Sequence, residues 1–361
     1  MQIFWYLPTH GDGRHLATGI GSREANHAYL KQVAQAADSL GYDGALLPTG
    51  HYCHEPWIIA SSLVDATRRL KFLVAVRPGL MSPTVSARMA ATLNQISGGR
   101  CLVNIVAGGD PVELGADGLF LDHDTRYKLA DEFLLIWRRL FEGERVDFVG
   151  EHFHIEAAQL LINERCPQIK IYFGGSSEAG HLVAARRADV YLTWGEPPRQ
   201  VAEKIRQMRD LAAGVGRRIQ FGLRLHLVVR ETTQKAWRAA KDLMRYVSDD
   251  AVEIAQHLFS RHDSVGQRRM VQLHKGKCGK LEVSPNLWAG IGLVRGGAGT
   301  ALVGDPRTIA ARIQEYHELG IDTFIFSGYP HLEEAYQVAE LLLPKLRSAC
   351  KQPHVQSVAA G

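Results

Sequence analysis

The sequence predicts an α/β fold, a closed (β/α)8 TIM barrel with insertions. Two observations carry that expectation. Eight short runs rich in β-branched or aromatic residues alternate with amphipathic helical stretches almost from end to end, and the runs themselves are mostly apolar. Parallel strands need crossover helices and are buried on both faces, so a closed parallel barrel produces this pattern. A doubly wound open sheet shares the alternation and is the alternative.

The expected strands are Gln2 to Leu7, Gly44 to Pro48, Phe72 to Val76, Cys101 to Val106, Lys170 to Phe173, Asp189 to Leu192, Gln220 to Val229 and Thr323 to Phe326. They are short, and turn residues bound them. Between them, Tyr29, Val33, Ala36 and Leu40 share one helical face, and Leu129, Phe133, Ile136, Trp137 and Leu140 trace another. Gly41 and Gly143 stand where helices end.

A single barrel domain is expected over 1–350, with insertions at 143–168 and 247–300 and a flexible tail at 351–361. The first insertion contains a hairpin pattern, VDFVGEHFHI. Within the second, Arg261 to Lys280 is basic and poor in large apolar residues. It is either a lid closing on an anionic ligand or a solvated loop.

Composition excludes several classes. Lys and Arg number 42 against 38 Asp and Glu, and no run of five like charges appears, which disfavours nucleic acid as a partner. No stretch approaches the roughly 18 apolar residues of a membrane span, and the N-terminus lacks a basic region and a cleavage site, so a cytoplasmic protein is expected. Five cysteines without a C-x-x-C pair suggest reduced thiols rather than disulfides or zinc, and no metal is expected. Sixteen histidines are the enriched group, and they titrate near neutral pH.

A barrel carries its chemistry at the C-terminal ends of its strands. Those ends read Pro8-Thr9-His10, Thr49 to Glu55, Arg77-Pro78, Asn104 with Ala107 to Asp110, Gly174 to Ser177, Thr193 to Glu196, and Ser327 to His331, while Arg224 and His226 lie within the seventh run. Three features stand out. Gly174-Gly175-Ser176-Ser177 opens a helix, so it is either a phosphate cradle or a plain N-cap. Arg224 and His226 are two apart in FGLRLHLVV and share a face, meeting either an anionic ligand or a buried ion-pair partner. Arg295 lies in the glycine-rich LVRGGAGT, where it could fork onto an oxyanion. A nucleotide-binding G-x-G-x-x-G is not formed there.

FWYLPTHGDG, YFGGSS, YLTWGEPP, FGLRLHLVVRET, SPNLWAGIGLVRGGAGTALVGDP and FSGYPHLEEAY together resemble the flavin-dependent alkanesulfonate and methanesulfonate monooxygenases of the bacterial luciferase-like superfamily, from about Phe4 to Leu346. The resemblance implies reduced FMN as co-substrate, delivered by a separate NAD(P)H-dependent FMN reductase. It implies O2-dependent cleavage of an organosulfonate C–S bond to an aldehyde and sulfite, by a homodimer or homotetramer. The catalytic positions it implies are Cys53, Trp194, Arg224, His226, Arg295 and Tyr329, with His10 and His331 in matching blocks. Arg224 and Arg295 would clamp the sulfonate, Trp194 and His226 would complete the polar wall, and Tyr329 and His226 would manage protons. Gly175, Ser176 and Ser177 would hold the flavin phosphate, with Asn104 and Tyr127 near the flavin.

Three departures bear on specificity. The chain reads Thr49-Gly50-His51-Tyr52-Cys53-His54-Glu55 where those enzymes commonly read T-G-R-S-C-E-D. It reads Val106-Ala107-Gly108-Gly109-Asp110-Pro111 where they read V-T-G-[SG]-D-P, and Cys166-Pro167-Gln168-Ile169 replaces a more proline-rich approach. A relative acting on another sulfur compound, or on a sulfosugar such as sulfoquinovose, therefore remains the alternative.

Overall fold

The computed structural model describes residues 1–162 and 168–349; Cys166, Pro167 and the tail at 351–361 lie outside the described residues. All eight expected strands form: β1 (Gln2–Tyr6), β2 (Gly44–Leu47), β3 (Lys71–Val76), β4 (Cys101–Ile105), β5 (Ile171–Gly174), β6 (Val190–Trp194), β7 (Gln220–Val229) and β8 (Ile321–Ser327). Each pairs in parallel with the next, and β8 pairs with both β7 and β1. The ring is closed, which removes the open-sheet alternative.

The helices follow their apolar stripes. His27–Leu40 buries Tyr29, Val33 and Ala36, starts on the Asn26 side chain and stops at Gly41, whose φ of 87° is left-handed. His123–Phe141 buries Leu129, Phe133, Ile136, Trp137 and Leu140. The expected hairpin pairs Val146–Val149 with His154–Ala158. Among the described residues no helix is long and apolar enough to cross a membrane.

The strand Ala301–Gly304 has no counterpart among the expected ones. The ten-residue β7 extends past its barrel neighbours, and its last four residues pair with Ala301–Gly304. That strand in turn carries Leu287–Trp288 and Glu282–Ser284. Four residues between Thr300 and Asp305 are too short a run to announce themselves by periodicity.

Inside the barrel the period-two rows change character along their length. Phe4, Leu46, Leu73, Tyr172, Val190, Leu192 and Ile325 form one buried apolar cluster. Each such side chain contributes about 1.5–3 kcal/mol by leaving water. Gly222 supplies the room at this level, since a Cβ there would lie 2.4 Å from Leu192 Cδ2. Two residues further along the same rows stand Tyr6, Trp194, Arg224 and Ser327. The apolar plug thus ends at a polar floor on the C-terminal rim.

Candidate active site

Arg224 is buried, donates to the Leu225 carbonyl at 2.9 Å and lies over the Tyr6 ring, 4.8 Å from its centroid. Among the described residues no carboxylate forms a salt bridge with it, so the ion-pair alternative is not realised there. Burial pushes its pKa down, and the neighbouring Tyr6 and Tyr329 oppose that shift. Arg295, on the loop after the short helix Gly290–Leu293, lies 5.7 Å from the Tyr329 ring centroid and donates to His10 Nε2.

The histidines around these guanidiniums differ in what they have left to offer. Arginine only donates, so His10 Nε2 is an acceptor and its proton sits on Nδ1, 3.5 Å from Tyr6 Oη. Burial, reinforced by Arg295, lowers the His10 pKa to about 3, and the ring is neutral. His226 donates from Nε2 to the Ala298 carbonyl at 2.9 Å and accepts at Nδ1 from Ser327 Oγ at 2.6 Å. A carbonyl cannot donate, so this tautomer is fixed, and both nitrogens are occupied. Burial pushes its pKa well down. His226 stacks on Tyr329 with centroids 5.3 Å apart, which makes it a holder of that ring as it stands.

His331 is fully buried. Asp12 accepts from its backbone N–H at 2.7 Å and meets its Nδ1 at 2.8 Å, while Tyr29 Oη also donates to Asp12. Burial pushes the Asp12 carboxyl up, but His331 and Tyr29 outweigh it and bring the pKa down to about 2. His331 Nε2 has no hydrogen-bond partner. Cys53 is half-buried, and burial raises its pKa, so it is a thiol at neutral pH.

Two cavities open on this rim. One, of about 300 Å3, is lined by Asn104, Tyr127, Gly175, Ser176, Trp194 and Arg224, with Gln267 and Gly297 facing it. The other, of about 570 Å3, is lined by His10, Arg295 and Tyr329 together with Asp12, Arg23, Tyr52 and His54. Ser177, Cys53 and His226 line neither.

The stretch expected as lid or solvated loop contains the helix Val265–His274 and is latched to the barrel. Arg261 reaches Asp110 at 2.6 Å, Arg126 reaches Asp263 at 2.6 Å, and Arg269 grips Glu196. Gly109 stands where the alkanesulfonate pattern admits serine or glycine, and here only glycine fits. Its carbonyl accepts the Asp263 N–H at 2.9 Å, and a Cβ there would lie 2.8 Å from Ser264 Cβ, so a serine could not fit under the segment as it lies.

The model of the luciferase-like monooxygenases matches residues 1–323. The chain belongs to that family. Solved structures with the same architecture include a riboflavin lyase, 20% identical with a TM-score of 0.79, covering 97% of this chain and 92% of that one. A long-chain alkane monooxygenase is 21% identical with a TM-score of 0.79 and the same coverages, 97% and 92%. An F420-dependent secondary alcohol dehydrogenase is 19% identical with a TM-score of 0.69, covering 96% and 99%. At these identities the likeness establishes the fold of this luciferase-like monooxygenase and leaves its substrate open.

The family's flavin raises the question of fit. Gly175 to Ser177 lead into the helix Glu178–Arg187, and Ser177 Oγ accepts the Gly180 N–H at 3.1 Å, so Ser177 is the N-cap. A Cβ at Gly175 would come 3.1 Å from Tyr127 Oη, which keeps the turn open only to glycine or a shifted tyrosine. Asn104 Oδ1, on the cavity wall, has no partner. A helix N-terminus, the Ser176 hydroxyl on the cavity wall and an orphan amide suit a phosphorylated, hydrogen-bonding ligand.

Three residues around this site escape a reading of the sequence. Lys204 Nζ is buried between Glu196 at 2.7 Å, Thr193 Oγ1 at 2.8 Å and Ser176 Oγ at 3.3 Å. Its signal was available: it sits among Val201, Ile205 and Met208 on the apolar stripe of Pro198–Gly214, where a charge needs a partner. Asp12 and Gln267 carry no comparable pattern.

Proposed function

We propose that this luciferase-like monooxygenase uses reduced FMN and O2 to cleave the C–S bond of an organosulfonate, releasing an aldehyde and sulfite. The observation that carries the proposal is the pair Arg224 and Arg295, cations at the barrel mouth with aromatic rings and a neutral histidine against them and, among the described residues, no carboxylate in a salt bridge. A sulfonate is a permanent anion with three acceptor oxygens, the complement of such donors.

Bound reduced FMN would supply the electrons that activate oxygen. Asn104, Tyr127, Gly175, Ser176 and Ser177 would hold it, and the F420-dependent neighbour makes the choice of flavin a matter for experiment. The chain's own residues position the rest. Neutral His10 orients Arg295 without competing for charge. His226 fixes the Tyr329 ring, leaving the phenol to handle a proton. Trp194 forms a wall beneath the lid, where a Cβ on Gly266 would lie 3.2 Å from its Cζ3. The protonated Cys53 thiol stands nearby as a weak donor. A separate NAD(P)H-dependent FMN reductase would deliver the reduced flavin to a homodimer or homotetramer.

A second reading, a sulfosugar or other polar sulfur compound, is favoured by one feature. Tyr52 and His54, both departures from the alkanesulfonate pattern, line the cavity beside Arg295 with Thr9, Asp12, Arg23 and Glu24. That wall suits a hydroxylated tail better than an alkyl chain. Sulfite release with reduced FMN across methanesulfonate, octanesulfonate and sulfoquinovose tests both readings. Release from either alkanesulfonate supports the first, release from the sulfosugar alone supports the second, and no release from any of them overturns both. Turnover with reduced deazaflavin in place of FMN would reassign the cofactor.

A further inference from the structure

Gln267 lies on the lid helix Val265–His274 and is 2% exposed. It shares the buried face of that helix with Met270 and His274, at the three- and seven-residue spacings where an apolar side chain would be expected. Its Oε1 accepts the Gly297 N–H at 2.9 Å. That bond settles which end of the amide is which, because a backbone N–H needs an acceptor. The nitrogen is therefore the other end, and Nε2 is buried with no partner on a residue that lines the 300 Å3 cavity beside Arg224 and Trp194. A buried amide nitrogen left unsatisfied bears its full desolvation cost, which an acceptor oxygen in the cavity would remove.

We infer that Gln267 is a substrate-binding residue carried by the lid, donating from Nε2 to a sulfonate oxygen that Arg224 also holds. The other end of the same side chain fixes Gly297, two residues after Arg295. One amide thus ties the lid, the substrate anion and the loop bearing the second arginine. The ligand atom must be an acceptor, and a sulfonate offers nothing else. The flavin phosphate is the rival source of anionic oxygen, but the hydrogen bond to Gly297 holds Gln267 against the arginine loop. The inference rests on the organosulfonate reading.

The test uses the full-length protein loaded with FMN, and octanesulfonate and methanesulfonate as probes. Binding is read from tryptophan fluorescence, since Trp194 lies directly beneath Gly266, and from the rate of trypsin cleavage at the exposed Arg268, Lys275 and Lys277. Sulfonate should protect these sites in the wild type. Gln267→Met, close in size and without the donor, should weaken sulfonate binding about 10- to 100-fold, the range of a hydrogen bond to a charged group. Gln267→Glu, which sets a carboxylate against the sulfonate, should weaken it further and abolish protection. FMN affinity should stay within about twofold in both, and a thermal melt monitored by circular dichroism confirms that each variant is folded; two chemically different replacements guard against one misfolding.

Unchanged sulfonate affinity in the folded variants overturns the inference, as does an equal or greater loss of FMN affinity, which would assign Gln267 to the flavin. The wild type separates this from the broader proposal. If it releases no sulfite, the organosulfonate reading fails; if it releases sulfite while the variants bind sulfonate normally, only the role of Gln267 fails.

Discussion

Arginines lie buried or half-buried in two regions of this molecule, and the two treat them oppositely. Along the seam between the segment 261–280 and the barrel, and at the outer rim, each has carboxylates: Arg77 has Glu113 and Asp117, Arg126 has Asp263, Arg230 has Glu334, and Arg269 has Glu196. At the mouth, Arg224 and Arg295 have the rings of Tyr6 and Tyr329 and a neutral His10. A buried cation with a carboxylate is structural, and removing either partner strands the other. A buried cation held by π faces and carbonyls has its strongest interaction still to make. The difference separates the parts that hold the barrel shut from the parts that the proposed function assigns to an anion.

The largest effect should come from the mouth. Arg224→Gln should lower kcat/KM for a sulfonate by about 10²–10³-fold, the roughly 3–4 kcal/mol of one preorganised donor. The thermal midpoint should not fall, because the change removes a buried charge that no carboxylate offsets. Sulfite release and calorimetry on the same preparation check both halves. A variant that loses stability along with activity would place Arg224 with the seam arginines and erase the contrast.

Close behind is the seam. Glu196→Gln leaves Lys204 and Arg269 facing a neutral amide, and Glu196 and Lys204 are almost wholly buried. A loss of about 3 kcal/mol of unfolding free energy is expected, read by denaturant titration. If sulfonate turnover collapses while stability holds, Glu196 serves the mouth instead.

Much of this arrangement is legible in the sequence, and the limits are physical. The strands announce themselves by apolar runs, and period two in FGLRLHLVV places Arg224 and His226 on one face before any coordinates exist. What spacing cannot show is who partners whom. Whether Arg224 has a carboxylate depends on residues brought together from other strands. Asp12 looks like any loop aspartate, yet it fixes His331 from 319 positions away. The proton positions on His10 and His226 follow from an arginine and a carbonyl that close on them only after folding. Ala301–Gly304 becomes a strand because β7 is long enough to offer it an edge.

The two regions should also titrate in different windows. His10 has its pKa lowered to about 3, and His226 is lowered too, both chiefly by burial. Below about pH 6.5 an unfolded chain protonates these rings while the native one does not. The unfolded state then holds more protons, so stability falls as pH drops through the range from about 6.5 toward 3. At the seam, Asp110 and Glu196 are held below their ordinary values by Arg261, Arg269 and Lys204, against the opposing push of burial. Their contribution is intact above the ordinary carboxylate range and is lost only as pH falls through their depressed pKa values. Thermal midpoints from pH 7 to 4 should therefore decline from about 6.5. His10→Gln should flatten the upper part of that decline, whereas a fall that begins only below about pH 4 would show the carboxylates alone in control.

The smallest expected effect tests whether deep burial of at least one partner, rather than pairing alone, is what distinguishes the seam. Arg23 and Glu333 form a bidentate pair with a closest approach of 2.7 Å, as short as the contacts at Arg77, but their side chains are 38% and 43% exposed. Water screens such a pair and already solvates each partner, so Arg23→Ala should cost under about 1 kcal/mol. Arg23 also lies 4.8 Å from the Tyr29 ring centroid, and Tyr29 supports Asp12, so a modest change in turnover is compatible with that position. A loss of stability as large as that of Glu196→Gln would mean that pair geometry alone sets the energy. Burial of a partner would then add nothing to the seam pairs beyond their contact geometry.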